Sequence, residues 1–356
     1  MLKQKLLIID KTTFGGCVDV YKRCEYLRDF YDIQVICFES IVFDVLNMDG
    51  VRVHCVSSRG NRIVRGIRYI LYISWFLLFY NGKIMVMHFP KCSVLKKIFF
   101  WKKMILDIRS LGVFDDLEKN RVFDTELQKC CDVYDHVVLI SEGVRNKLHI
   151  DIAKTSIIPL GSDIMSQELK QFSSLNLLYV GTFTNRNLDI TLKGLAKYIS
   201  ETNDKTIHYH IVGDGEGDIL ERMKKIAYEE LSLNENVTFY GRVPHYQLIP
   251  FFDKCNVGVS FVPMTEYYEH QPPTKTYEYV LSGLYCIATN TYANRCIING
   301  DNGILINDSC TSFADALFMV KENMCNFDSV KIRNTLLDFT WKNIVNNVVC
   351  DVLNKI

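Results

Sequence analysis

The sequence has no excess of charge of either sign. Its 356 residues include 41 lysines and arginines and 41 aspartates and glutamates, so the formal net charge is zero. A nucleic-acid-binding protein usually carries a strongly basic face, and the balance argues against that class. The chain is also longer than a typical single domain, so two domains are the default expectation.

Clustered cysteines are missing as well. The chain has 13 cysteines but no C-x-x-C motif, and Cys130–Cys131 is the only close pair. This spacing predicts neither a disulfide framework nor a zinc site. Because the first residues do not resemble a signal peptide, we expect reduced core cysteines in a cytoplasmic protein.

No apolar run is long enough to span a membrane. The uncharged stretch Tyr69–Tyr80 has 12 residues, whereas a spanning helix needs ~20. Arg62, Arg65 and Arg68 precede this stretch at a spacing of three, and Lys96–Lys103 mixes lysines with aromatic residues. Basic and aromatic side chains together are typical of a helix that lies in a membrane interface. A core helix with a solvated edge is the alternative that the sequence leaves open.

Short apolar runs alternate with helical segments in both halves of the chain. The runs of the first half are Lys5–Asp10, Ile33–Ser40, Lys83–Phe89, Lys103–Ile108, His136–Ser141 and Ser156–Asp163. After a polar segment the alternation restarts at Leu175–Gly181. Such runs suit strands buried on both faces of a parallel sheet. We predict an α/β protein of two doubly wound, Rossmann-like domains facing a cleft, 1–165 and 166–340, with a C-terminal helix, 341–356, packing back toward the first domain.

Three turns of the second half are candidate ligand contacts. Gly181–Thr182, Gly213–Gly215 and Pro272–Pro273 fall where strands end or a helix begins. Ligands of open α/β sheets bind outside the carboxyl ends of the strands, and a helix N-terminus suits a phosphate. The second proline is expected in the first turn of a helix that ends at Ser282–Gly283. The glycine-rich turn lacks the third glycine of the dinucleotide fingerprint, so a turn without a ligand stays open.

The order of these segments resembles a known family. The stretches "LLYVGTF", "HIVGDGEG", "NVTFYGRV", "VGVSF" and "PPTKTYEYVLSGLYCIAT" are similar to the nucleotide-sugar-binding half of retaining glycosyltransferases of the GT-B fold, close to glycosyltransferase family 4. The first half resembles the family through Gly15–Gly16, "DHVVLISEGVRNKL" and "IIPLGSD". The resemblance covers nearly the whole chain.

The resemblance implies a reaction. A sugar would pass from a nucleoside-diphosphate sugar, most often a UDP-sugar in this family, to a glycan or lipid-linked acceptor hydroxyl with retention and without a metal or other cofactor. No Asp-x-Asp motif occurs in the sequence, which agrees with the last point. The expected setting is cell-surface polysaccharide biosynthesis in the cytoplasm, at the inner face of the membrane.

The resemblance also implies residue roles. Lys275 and Glu278 match the Pro-x-Lys-x-x-Glu-Tyr pattern, in which the lysine contacts the diphosphate and the glutamate the donor ribose. The Gly241–Pro244 turn would read the base, and Arg186 would replace an arginine that the family often has at the position of Thr182. The predicted donor-side residues, with Arg186, Glu269 and Lys275 as catalytic, are Thr182, Arg186, Gly213, Gly241, Val243, Glu269, Pro273, Thr274, Lys275 and Glu278.

Two departures from the family pattern keep other functions open. His270 stands where a glutamate is common; the neighbouring Glu269 is the predicted substitute, and the nearby Glu266 is the alternative that the sequence leaves open. Arg109–Ser110 replaces a frequent His-Asp pair, which leaves Gly15, Gly16, His88 and Arg109 as the acceptor-side prediction. A sugar-nucleotide epimerase and a non-catalytic scaffold are the alternative functions. For Lys275 and Glu278, the alternative to a ligand site is an ordinary surface ion pair.

Overall fold

The computed structural model describes residues 3–39, 47–112, 114 and 116–355. The chain divides into two compact units. The N-terminal unit contains residues 1–160 together with 341–356, and the C-terminal unit contains residues 161–340. Each unit is a parallel sheet with helices in its connections, which confirms the predicted α/β class with two Rossmann-like domains.

The N-terminal unit is built on a parallel sheet in the order β3-β2-β1-β4-β5-β6-β7. Its strands are β1 Gln4–Ile9, β2 Tyr31–Phe38, β3 Val51–Val56, β4 Lys83–Met87, β5 Ile105–Ile108, β6 His136–Leu139 and β7 Thr155–Ile157. Its helices are α1 Val18–Leu27, α2 Arg62–Phe79, α3 Ser93–Ile98, α4 Leu117–Val133 and α5 Glu142–Lys147. The order reverses between β1 and β4, so the ends of these two strands flank the switch point where ligands of such sheets bind.

Strand β3 was not predicted from the sequence, and its position explains why. It pairs only with β2, as an edge strand, and most of its side chains are half-buried or exposed. Arg52 and His54 interrupt its apolar pattern. The central strands, by contrast, are buried on both faces and appear in the sequence as continuous apolar runs.

The C-terminal unit repeats the arrangement in a parallel sheet of order β10-β9-β8-β11-β12-β13. Its strands are β8 Asn176–Val180, β9 His208–Val212, β10 Val237–Phe239, β11 Val257–Ser260, β12 Tyr285–Thr289 and β13 Gly303–Ile306. Its helices are α6 Asp189–Thr202, α7 Ile219–Lys225, α8 Ile249–Lys254, α9 Glu266–Glu269, α10 Thr274–Leu281, α11 Tyr292–Arg295, α12 Cys310–Asn323 and α13 Ser329–Asn334. The switch point here lies between β8 and β11.

The last residues return to the N-terminal unit. They form α14 (Trp341–Asn343), a π-helical stretch (Ile344–Val349) and α15 (Cys350–Asn354). The Lys355 amine donates to Ser156 Oγ at 3.1 Å, which ties this segment to β7. The other short helical turns are Ile152–Lys154, Ile226–Glu230, His245–Gln247, Met324–Asn326 and Leu337–Phe339.

Candidate active site

Helix α10 starts at the carboxyl edge of the C-terminal sheet. Pro273 has an extended backbone and stands immediately before the helix, so its predicted place in the first turn was wrong by one residue. Its carbonyl accepts from Thr276 N at 3.1 Å. The first helical residues, Thr274 and Lys275, therefore present their N–H groups where a helix N-terminus favours an anion.

The Lys275 amine lies at the switch point of this sheet. Its Nζ sits 3.9 Å from the centre of the Tyr179 ring, on β8, and donates to the carbonyl of Phe261, just after β11, at 3.3 Å. An added Cβ at Gly181 would stand 3.9 Å from the same amine. The side chain of Lys275 thus bridges the ends of β8 and β11, where a ligand is expected.

Lys275 has no carboxylate partner in the part of the chain that the structure describes. Burial, and after it the charge of Arg186, lowers the pKa of the Lys275 amine well below its ordinary value. Within the described residues, neither Glu278 nor another carboxylate forms an ion pair with it, so the interpretation as a surface pair is wrong. A partly desolvated cation without a counter-ion is a site prepared for an external anion.

Arg186 supplies a second cation near Lys275. Its guanidinium lies 4.5 Å from the centre of the Tyr268 ring and has no ion-pair partner among the described residues. Two left-handed asparagines, Asn185 and Asn187, flank it and shape the loop after β8. The repulsion between Arg186 and Lys275 is relieved when a negative group binds between them.

Three glycine turns, which follow β8, β9 and β10, meet at this edge of the sheet. An added Cβ at Gly213 would stand 1.8 Å from the Gly181 carbonyl oxygen, so only glycine fits there. Gly213 N donates to the Gly241 carbonyl at 2.8 Å, which joins the turns after β9 and β10. The Tyr179 hydroxyl donates a hydrogen bond to the Thr182 carbonyl at 2.7 Å. These contacts bring the predicted Thr182, Gly213 and Gly241 to one edge.

Glu278 lies one turn beyond Lys275 and faces the Gly241–Pro244 turn. Its side chain is 12% exposed, and its Oε1 lies 3.3 Å from Nε2 of His245, which follows that turn. Val243 is half-buried in the turn. The carboxylate and the predicted base-reading backbone therefore share one side of the site.

A buried chain of hydrogen bonds fixes the start of α10. Ser260 Oγ and Thr276 Oγ1 are 2.6 Å apart, and Thr276 also donates to Asn294 Oδ1 at 3.1 Å. Asn294 Nδ2 donates to the Thr289 carbonyl at 2.8 Å. Farther along the helix, the Tyr279 hydroxyl accepts from Val180 N at 2.8 Å. Because α10 is anchored to β8, β11 and β12 in this way, Lys275 is held in one position.

The Glu269 side chain forms hydrogen bonds with the start and the end of helix α11. Its Oε1 accepts from Tyr292 N at 3.0 Å and from Arg295 at 2.8 Å. These contacts account for Glu269 as a helix cap and ion-pair partner. His270, in the family's glutamate position, packs edge-on against the Tyr292 ring at 5.2 Å.

The predicted acceptor-side residues belong to the N-terminal unit. Gly15 follows β1 with a φ of 92°, and Gly16 closes the turn through a 2.8 Å hydrogen bond from its N–H to the Thr13 carbonyl. His88 directly follows β4, so the loop and the histidine flank the switch point of this sheet.

Arg109 is held by a network of buried charges. It forms ion pairs with Asp19 and, at 3.9 Å, with Asp107. Its Nη1 also donates to the Ile158 carbonyl at 2.7 Å. Asp107 in turn pairs with Arg23, and both of these side chains are fully buried. Arg109 itself is half-buried, with a side chain that is 14% exposed.

Sequence reasoning missed the aromatic residues that support the cations. Tyr179 lies under Lys275, Tyr268 under Arg186, and His245 beside Glu278. The tyrosine of "LLYVG" could have indicated this role. It lies near the carboxyl end of a strand, where a long aromatic side chain can reach a bound ligand or a neighbouring cation.

Comparisons with known proteins agree with this geometry. Residues 174–323 match the family described as glycosyl transferases, group 1. Sucrose-phosphate synthase from Thermosynechococcus elongatus has a similar structure, with a TM-score of 0.76 and 14% identity over 99% of each chain. Anabaena HepE in complex with UDP and glucose gives 0.75 and 14%, over 99% of this chain and 100% of that one. The lipopolysaccharide outer core galactosyltransferase WaaB, in its apo form, gives 0.72 and 15% over 99% and 100%.

No curated protein matches the chain significantly in sequence. Identities this low establish the fold, and the fold of these neighbours is GT-B, as the sequence resemblance implied. The family match falls on the unit that carries Lys275, Arg186 and Glu278. The chain therefore has the GT-B fold, and its residues 174–323 match the group 1 glycosyl transferase family.

Proposed function

We propose that the C-terminal unit binds a nucleoside-diphosphate sugar and that the enzyme, as a member of family 4, transfers the sugar with retention. The observation that carries this proposal is a pair of cations beside the switch point, Lys275 and Arg186, for which the described residues provide no carboxylate partner. Two cations and the N-terminus of α10 suit a diphosphate better than a single anionic group.

The same groups stabilise the leaving group without a metal. As the bond to the anomeric carbon breaks, negative charge accumulates on the departing diphosphate. In this proposal Lys275 and the N–H groups of α10 contact the diphosphate, and their electrostatic stabilisation needs little reorganisation because α10 is anchored to β8, β11 and β12. Arg186 lies near enough to lower the pKa of Lys275 and would contribute to the same charge. Glu269 is then proposed to act from α9 on the donor sugar through its second carboxylate oxygen.

UDP is the proposed nucleotide. The structure of HepE with UDP and glucose contains this nucleotide in a protein of the same fold. In the present chain, Glu278 would accept hydrogen bonds from the ribose hydroxyls, and the backbone around Val243 would contact the base. The proposed acceptor is a glycan or lipid-linked hydroxyl of cell-surface polysaccharide synthesis, approached from the Gly15–Gly16 loop, His88 and Arg109.

Replacing Glu278 by glutamine should weaken UDP binding with little effect on stability. A hydrogen bond to a charged group contributes about 1.5–3 kcal/mol, so we expect a loss of about 10- to 100-fold in affinity. The contact with His245, which is 61% exposed, contributes about 0–1 kcal/mol to stability. Calorimetry with UDP and 2′-deoxy-UDP checks the assignment, because only the wild-type enzyme should discriminate between them. Normal UDP binding by a destabilised variant would mean that Glu278 is structural.

Helix α2 carries an exposed apolar stripe on the N-terminal unit. Ile63, Ile67, Leu71, Trp75 and Leu78 are all more than half exposed. Lys102 Nζ donates to the Tyr80 carbonyl at 2.7 Å, which places the exposed Phe100–Trp101 pair beside the end of this helix. In the described part of the chain, no helix is long and apolar enough to cross a membrane.

We propose that this surface lies on an anionic membrane at its inner face. Arg62, Lys97 and Lys103 are exposed near the apolar side chains and complement acidic headgroups. Arg65 and Arg68 are half-buried, and Arg68 donates to the carbonyls of Ser57 and Arg59, so Arg62 is the most exposed of the three arginines noted in the sequence.

Adding charge to the stripe should remove membrane binding. A fully buried Leu or similar side chain contributes about 1.5–3 kcal/mol, so the double replacement Leu71→Glu and Trp75→Glu should lower vesicle partitioning by about tenfold or more. Sedimentation with phosphatidylglycerol vesicles measures the bound fraction. Ile152→Glu is the matched control, since Ile152 is 68% exposed beside β7 at the other edge of the sheet. Equal binding by wild type and the double variant would contradict the proposal.

A further inference from the structure

Three side chains with metal-ligand atoms meet in the N-terminal unit. His88 follows β4, Cys92 stands immediately before α3, and Cys130 lies in α4. One ligand atom of each lies within 4.8 Å of both others, and no second such group of three occurs among the described residues. Spacing along the chain did not indicate this group, because its members belong to three separate parts of the fold.

The two cysteines are buried, His88 is half-buried, and hydrogen bonds outside the ligand atoms hold the group. Cys92 is fully buried, and Cys130 is 7% exposed. The Tyr134 hydroxyl donates to the Cys92 carbonyl at 2.9 Å, and His88 N donates to the Asp107 carbonyl at 2.8 Å. The elements that carry the ligands are therefore fixed without using the thiols or the imidazole.

The chemistry of the three ligands selects zinc. Two thiols and an imidazole form a Cys2His set, and soft ligands of this kind disfavour magnesium and calcium. When Zn²⁺ binds, Cys92 and Cys130 each lose a proton to solvent, while His88 coordinates as the neutral ring. The two thiolates balance the charge of the ion, so the buried site carries no net charge.

A cavity of about 410 Å³ borders this group. Its walls include His88, Cys130, Val122, Phe123 and Glu126. Zinc sites with three protein ligands keep a fourth position for water or a ligand. We propose that His88, Cys92 and Cys130 bind one zinc ion, with the fourth position open toward this cavity. The zinc joins β4, α3 and α4 and places a Lewis acid on the cavity wall.

Metal analysis of the full-length chain tests this site. The untagged protein is stripped with a chelator under reducing conditions, reloaded with zinc and desalted. We expect about one tightly bound zinc per chain. The double variant Cys92→Ser and Cys130→Ser should lose it. The matched control, Cys37→Ser with Cys55→Ser, removes another thiol pair, with sulfurs 3.9 Å apart but outside any group of three ligands, and should keep the zinc.

Cobalt substitution of the wild-type chain keeps the test decisive if the double variant does not fold. Cobalt held by two thiolates should show an intense thiolate charge-transfer band and the visible absorption of tetrahedral coordination. His88→Gln should weaken metal retention and shift these bands. Three results would overturn the proposal. The reloaded protein could contain no zinc, the freshly purified protein could contain a Cys92–Cys130 disulfide, or the double variant could retain the same zinc content as the wild type. Metal content is measured without a sugar donor, so failure here leaves the donor site untouched.

Discussion

Replacing Lys275 by methionine should lower sugar transfer about 10²- to 10³-fold while leaving the fold intact. The loss follows from removing one preorganised cation from the position where the diphosphate charge develops. Methionine keeps the apolar length of the side chain over Tyr179, so the packing is retained. UDP release from a panel of UDP-sugars measures the rate, and Lys193→Met is the control, since the Lys193 amine pairs with Asp189 at 2.8 Å on α6.

The stability of this variant separates a functional from a structural lysine. Burial and Arg186 lower the pKa of Lys275, so between that lowered pKa and the ordinary lysine value near 10.4 the unfolded chain binds more protons than the folded one. The stability contribution of Lys275 therefore increases as the pH rises through this window. At neutral pH, Lys275→Met should unfold at the same or a higher urea concentration. A strongly destabilised variant with normal transfer in its folded fraction would contradict the assignment.

Replacing Asp107 by alanine should destabilise the N-terminal unit by about 3–5 kcal/mol. The substitution removes the closest partner of the fully buried Arg23 guanidinium and leaves it facing Asp19 at 4.0 Å, and a buried charge that has lost its close partner is costly. The remaining contacts of Arg23 Nη1 are to the sulfurs of Met85 and Met87, at 3.3 and 3.8 Å, which are weak acceptors. Urea denaturation measures the loss.

An exposed pair provides the matched control for this prediction. Arg52 and Asp32 are 59% and 36% exposed and lie 2.6 Å apart, so Asp32→Asn should cost less than about 1 kcal/mol. The double variant Arg23→Met and Asp107→Leu should recover most of the stability, because replacing both partners by apolar groups removes the buried charges together. If Asp107→Ala costs no more than the surface control, the buried pair does not stabilise the unit.

The sequence alone predicted those features whose pattern lies within a single helix or strand. Lys275 and Glu278 follow a short pattern at a helix start, and the structure places both on the carboxyl edge of the sheet. The central strands were found because burial on both faces makes them continuously apolar. The edge strand β3 was not predicted, because only part of it is buried and its residues do not form an apolar run.

Contacts between distant elements could not be predicted from one sequence. Arg109 forms ion pairs with Asp19 and Asp107, two residues far from each other in the chain. Tyr179 and Lys275 meet for the same reason, since the sheet order brings β8 next to β11. Such pairings depend on topology and on side-chain direction, which local patterns do not encode.

The most direct test of the donor site is nucleotide-dependent stabilisation of the wild-type chain. A ligand that binds only the folded state stabilises it by about 2.7 kcal/mol at 100 times its Kd. Thermal unfolding with UDP, GDP, ADP and CMP is compared with unfolding without a nucleotide. The account predicts that UDP raises the midpoint in the wild type and much less in Lys275→Met and Glu278→Gln. Unchanged unfolding with all four nucleotides would contradict the donor site and favour a non-catalytic GT-B scaffold.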